Sequence, residues 1–101
     1  MGNSYSIDAN EAKKLIKEKY FDVILDVREN NEWNEGHYPD AIHIPLNKVE
    51  KKFHLKFPNK KANILIHCRS GMRAKNASTI LNSQGYENIK VLSNSTYTDL
   101  L

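Results

Sequence analysis

A single cysteine in a chain of 101 residues excludes an internal disulfide, so nothing here calls for an oxidising compartment. It also excludes a dithiol redox cycle, which needs a resolving partner. No apolar run approaches the roughly 20 residues that cross a bilayer, and no charged-then-apolar leader opens the chain. The expectation is a soluble, cytoplasmic protein with no membrane partner. His37, His43, His54 and His67 show no ligand spacing among themselves or with the cysteine, so no metal is expected. The net charge of +3 is spread over dispersed lysines without an aromatic-interleaved stripe, which argues against nucleic acid while leaving a mild pull on small anions. With 40% apolar and 27% charged residues and no repeat or linker, the chain reads as one folded domain over 1–101. The opening Met1-Gly2-Asn3-Ser4-Tyr5-Ser6 formally fits an N-myristoylation signal on Gly2, a weaker reading than an unmodified start.

What the sequence does have is concentrated at Cys68. It ends the apolar run Ile64-Leu65-Ile66-His67 and opens Cys68-Arg69-Ser70-Gly71-Met72-Arg73, which leads into a helical pattern. A strand of that kind carries the sulfur to the carboxyl edge of a sheet, where open α/β folds place their ligands. The N–H groups of the next loop and the positive end of the next helix then favour a thiolate, with Arg69 and Arg73 adding charge. The plainer alternative is a small buried hydrophobe. Two arginines, a serine and a glycine within five positions favour the reactive thiolate.

Two periodicities alternate along the chain. Tyr5-Ser6-Ile7 reads as a short strand, and Asp8 with Glu11 as a capping box opening a helix to about Lys19. Val23 to Val27 is nearly all apolar, as a strand covered on both faces is. Ala41 to Ile44 gives a third strand, Leu46 to Phe57 a helix ended by Pro58, and Asn63 to His67 a fourth strand. A helix from Met72 to Gln84, stopped at Gly85, precedes a fifth strand at Ile89 to Leu92. The pattern predicts an α/β fold with a five-stranded parallel sheet and helices on both faces.

A second dense segment follows the second strand: Asp26-Val27-Arg28, then Glu32-Trp33, Gly36-His37, Pro39 and Ala41. Asp26 and Arg28 end a buried strand, where an unpaired charge is costly. In a parallel sheet they share the edge of Cys68. Two readings stand: Asp26 orients a loop arginine while Arg28 joins an anion pocket, or the two form a simple ion pair.

These two blocks, with Ile44-Pro45 between them, resemble the single-domain rhodaneses, the thiosulfate sulfurtransferase family, from about Ile7 to Leu92. The resemblance implies a rhodanese-like fold and a catalytic Cys68 that takes sulfane sulfur as a persulfide from thiosulfate or a related anionic donor. It passes that sulfur to cyanide, a thiol or a protein acceptor without a cofactor. Arg69, Ser70, Gly71, Met72 and Arg73 then bind substrate, and Asp26 and Arg28 support the site. His67, one residue before the nucleophile on a strand, should point away from Cys68 and serve as no general base. One departure is visible: Ser93-Asn94-Ser95-Thr96-Tyr97 stands where the family usually has a glycine pair and a tryptophan, and Asn94 tolerates the left-handed backbone such a pair provides.

Two rivals remain. A non-enzymatic module of the same fold, binding a partner or sensing sulfur, often lacks the cysteine or the loop arginines. A cysteine-dependent phosphatase, or an arsenate reductase, is a further rival: the related cell-cycle phosphatases carry five residues between cysteine and arginine, where this chain has the four of Arg69 to Met72. The shorter loop makes a cup suited to sulfur rather than a tetrahedral phosphate.

Overall fold

A computed structural model describes residues 3–101, so the acylation reading of Gly2 lies outside the described residues. The chain order is β1 (Asn3–Ile7), α1 (Ala9–Lys17), β2 (Val23–Asp26), α2 (Asn30–Glu35), β3 (Ile42–His43), α3 (Leu46–Lys56), β4 (Ile64–His67), α4 (Met72–Ser83) and β5 (Asn88–Leu92), closed by a 3-10 turn at Tyr97–Leu100.

Local chemistry accounts for the boundaries. Asp8 caps α1 by accepting the Glu11 N–H at 2.8 Å, which satisfies one of the orphan donors of the first turn. The helix stops short of Lys19 because Lys19 adopts φ +59°, a left-handed conformation that cannot propagate it. Gly85, at φ +103°, ends α4 in the way glycine does best. Two elements escaped the periodicity analysis. The six-residue α2 is too short to show a period, although Glu32 Oε1 accepts the Glu29 N–H at 2.9 Å, half of a capping box. The terminal turn carries a similar mark, with Asp99 accepting from the Thr96 N–H at 3.0 Å.

All pairings are parallel, in the order β1-β5-β4-β2-β3. The central β4 is buried at every position, which explains its unbroken apolar run. One face carries α3 and α4, with Val49, Phe53, Ala74, Ala77 and Leu81 packed on Leu25, Ile64, Ile66 and Val91. The other holds Ala12, Leu65, Leu92 and Leu100, with Ile16 and Ile24 beside them. Helices therefore cover both faces, as the alternation of elements predicts. Among the described residues no helix is long and apolar enough to cross a membrane. Parallel strands bring the carboxyl ends of β2, β4 and β5 to one edge, and there the site lies.

Candidate functional site

Cys68 leaves β4 at that edge and the chain turns back over it. Its Sγ accepts the Gly71 N–H at 3.0 Å and the Ala74 N–H at 3.4 Å, so backbone donors surround the sulfur. Cys68 is only 1% exposed, and in burial alone it matches the structural reading. Its partners differ from those of a buried hydrophobe, because they are the donors of a loop and of the first turn of α4. Gly71 makes this turn possible at φ +103°, where a side chain would be strained. The N–H groups of Met72 and Arg73, unpaired as first-turn amides are, have no partner among the described residues and remain to bind an anion at the positive end of α4. Arg69 and Ser70 are exposed, and Met72 is 66% exposed at the rim. The Ser70 hydroxyl makes no bond to the sulfur.

The two loop arginines part company. Arg73 forms a bidentate pair with Glu32 of α2, Nη1 to Oε1 at 2.6 Å and Nη2 to Oε2 at 2.9 Å. That bond holds the Glu32 carboxyl down to about 2 and raises the Arg73 guanidinium above its ordinary value. Arg69 has no carboxylate partner among the described residues and stays open to solvent. Of the two, Arg69 therefore carries the unspent charge. Glu32 is the residue the sequence reading left without a role, because its partner lies 41 positions away.

Asp26 does not orient a loop arginine. Its oxygens are occupied by Arg28: Oδ1 accepts the Arg28 backbone N–H at 2.9 Å and Nε at 3.0 Å, and Oδ2 accepts Nη2 at 2.8 Å. The ion-pair alternative is the one realised. Residues two apart in extended chain project to the same side, so the carboxylate meets the guanidinium without a turn. Arg28 Nη2 also donates to the Gly36 carbonyl at 2.8 Å, and its guanidinium stands 5.0 Å from the centroid of the Tyr97 ring. A Cβ at Gly36 would collide with the Tyr97 hydroxyl, which accounts for glycine there. Arg28, Glu32, Arg69 and Tyr97 line one depression beside the loop.

His67 is fully buried, and burial lowers its imidazole to about 4. It shares a sheet face with Leu65, of the α1-side core, whereas Cys68 joins the core under α3 and α4. The histidine therefore points away from the sulfur, as expected. Asn94 adopts φ +51°, the left-handed conformation anticipated for a residue in the place of a glycine. Trp33 stacks on His37, with ring centroids 3.5 Å apart, and on His43 at 4.8 Å. Since His43 Nε2 reaches the Arg28 carbonyl at 2.7 Å, the stack binds α2 to the end of β2. No group of three or more His, Cys, Asp or Glu residues arranged to hold a metal occurs among the described residues.

Comparison with known proteins agrees with this geometry. The Rhodanese-like domain family profile matches residues 8–97. The putative sulfur carrier protein YrkF of Bacillus subtilis is 39% identical over 66 residues, 65% of this chain and 35% of that protein. A putative mitochondrial thiosulfate sulfurtransferase of Schizosaccharomyces pombe is 33% identical over 78 residues, 66% of this chain and 55% of its own length. The solved structure of the Saccharomyces cerevisiae single-domain sulfurtransferase RDL2 superposes with a TM-score of 0.73 at 27% identity, covering 99% of this chain and 90% of that one. The chain spans 35%, 55% and 64% of the lengths of three curated relatives it matches, the third being the putative sulfurtransferase YtwF of Bacillus subtilis.

Proposed function

Because the chain belongs to the rhodanese-like domain family, we propose that it is a sulfurtransferase that moves sulfane sulfur from thiosulfate or a related anion to a nucleophilic acceptor through a persulfide on Cys68. The observation that carries this reading is the cup of N–H groups around Sγ at the start of α4, two already on the sulfur and two without partners. In the first step the Cys68 thiolate attacks the outer sulfur of thiosulfate. A new S–S bond forms, the bond to the sulfonate sulfur breaks, and sulfite leaves with the electron pair. The reactants carry three negative charges, so Coulomb repulsion opposes their approach. Arg69 and the free N–H groups offset it, and the same donors hold the persulfide charge, an oxyanion hole built for sulfur.

In the second step cyanide, a small thiolate or a protein thiolate attacks the outer sulfur, and the pair of the breaking S–S bond returns to Cys68. No cofactor takes part. We place the reaction in a reducing compartment, the cytoplasm in the simplest case. Ser70, Gly71 and Met72 shape the cup, Arg73 positions the loop through Glu32, and Asp26 and Arg28 hold the strand end on which the loop rests.

Mass spectrometry after thiosulfate treatment tests this directly. The wild type gains one sulfur atom on Cys68. Cys68→Ser gains none and loses thiocyanate production while keeping its fold, since the volume change is small. No mass gain in the wild type overturns the reading in favour of a non-enzymatic module, and turnover surviving in Cys68→Ser removes Cys68 from the mechanism. The phosphatase alternative is checked in parallel: wild type should hydrolyse aryl phosphates no faster than Cys68→Ser, whatever the phosphate concentration.

A further inference from the structure

The lysines that read as dispersed along the chain gather on one helix. Residues 46–61, which are α3 and the turn into β4, hold six lysines and a single acid, Glu50, a net charge of +5. The rest of the chain has nine basic and eleven acidic residues, a net −2, so the whole positive excess of the protein sits on this stretch. Lys48, Lys51, Lys52, Lys56, Lys60 and Lys61 are all exposed, and none has a carboxylate partner among the described residues. Lys48, Lys51, Lys52 and Leu55 recur at i, i+3, i+4 and i+7 and form the outer face of α3, while Val49 and Phe53 pack into the core. Glu50 lies on the side of α4, where its backbone carbonyl accepts an N–H of the Gln84 side chain at 2.7 Å. The outer face is therefore free of negative charge.

Helix stability does not account for this pattern. Lys48 stands in the first turn, at the positive end of the helix, with no acidic residue beside it there. Lys48 with Lys51, Lys48 with Lys52 and Lys52 with Lys56 are like charges at spacings where they repel. The sulfur chemistry does not account for it either. The Leu46 N–H donates to the Val27 carbonyl at 3.1 Å near the edge that carries Cys68, and from there α3 runs away for about 16 Å, eleven residues at 1.5 Å each. Lys60, whose Nζ stands 4.1 Å from the centroid of the Tyr86 ring, and Lys61 continue the charge onto the opposite edge of the sheet. A small anion needs no surface of that length.

Leu55 decides what kind of anion fits. It is 73% exposed in the midst of the lysines. A nucleic-acid backbone meets lysines through its phosphates and has no complement for such a side chain, and a single leucine gives a bilayer little to bury. An apolar centre within a charged rim is the anatomy of a protein interface. We propose that the outer face of α3 docks an acidic segment of a protein partner, with carboxylates on Lys48, Lys51, Lys52 and Lys56 and an apolar side chain on Leu55. The face is small and mostly charged, so the contact is transient, fast to form and sensitive to salt. It stands independently of the sulfurtransferase reading.

Titration of the 15N-labelled protein at low salt tests this, with three probes used in parallel: a synthetic helical peptide in which glutamates surround a central leucine, oligouridylate RNA, and phosphatidylserine vesicles. The peptide should shift amides within residues 46–61, lose at least about tenfold in affinity on Lys51→Glu with Lys52→Glu, and lose about threefold on Leu55→Ala. No shifts on α3, shifts that survive the charge reversal, or an affinity indifferent to Leu55→Ala overturn the proposal. Tighter binding of the RNA or of the vesicles than of the peptide overturns it as well. Thermal unfolding separates docking from a structural role: Lys51→Gln with Lys52→Gln removes repulsion and should leave Tm unchanged or raise it. A fall in Tm of about 4 °C or more would return the lysines to the upkeep of the fold and overturn the proposal.

Discussion

Two arginine–carboxylate pairs flank the cysteine loop, and they are built on opposite principles. Asp26 and Arg28 are two residues apart, almost wholly excluded from water, and saturated by each other, by a backbone N–H and by the Gly36 carbonyl. Glu32 and Arg73 are separated by 41 positions and half open, with side chains 19% and 29% exposed. The first pair belongs to the end of β2 and forms wherever that strand forms. The second is a tether between α2 and α4 that exists only after the sheet has brought both to one edge. A local pair thus fixes the platform, and a distant pair fixes the loop standing on it.

The largest effect should come from breaking the local pair. Asp26→Ala leaves the Arg28 guanidinium buried without its counter-charge, and a loss of about 3–5 kcal/mol is expected in urea unfolding. Replacing both residues by apolar ones should recover much of that loss, and a double-mutant cycle showing simple additivity would contradict the coupling. Next comes acid. The His67 imidazole titrates at about 4 in the folded protein against about 6.5 in a free chain, so between these values the unfolded state binds the extra proton. Stability therefore falls as pH drops from 6.5 towards 4, by up to about 3 kcal/mol. His67→Phe should flatten this limb of the pH–stability curve. Glu32 adds a later stage: its carboxyl, lowered to about 2 from 4.5, stabilises the fold above 4.5 and loses that contribution as pH falls through 2.

Cutting the tether should cost less stability and more activity. Arg73→Ala is expected to lose about 1 kcal/mol, the scale of a partly exposed pair. It should lower kcat/KM for thiosulfate about tenfold, because a misplaced loop misdirects its donors. Glu32→Gln should reproduce most of this loss although it removes no positive charge; normal kinetics in Glu32→Gln would return Arg73 to direct substrate contact. The smallest structural effect belongs to Arg69→Ala, within about 0.5 kcal/mol of wild type as for other exposed positions. Its KM for thiosulfate should rise several-fold at low salt and converge on wild type at high salt.

The same contrast explains what was legible in the sequence. The strands, α1, α3, α4 and the cysteine turn carry their own periodicity, caps and glycines, so each is readable from a window of a dozen residues. The Asp26–Arg28 pair was also within reach, because residues two apart in a strand share a side, yet an anion-site role for Arg28 reads equally well from composition. The Glu32–Arg73 tether was not legible: helix α2 has six residues, with Asn at its start and an indole inside, and nothing local says which cation it will meet. For the same reason, Arg69 and Arg73 read from sequence as equal neutralisers of substrate charge, whereas the geometry favours Arg69.

The pairing of β1 with β5 sets an order of events in time. The Ser93 N–H and hydroxyl both donate to the Ile7 carbonyl, at 2.9 and 3.1 Å, from 86 positions further along the chain. Closing so long a loop is entropically the most expensive contact in the sheet, so it is favoured only after β2, β4 and their helices have condensed. During synthesis, β1 must wait for nearly the whole chain to leave the ribosome. Its edge is then the last part of the sheet to come into being, and the first expected to open in native-state hydrogen exchange.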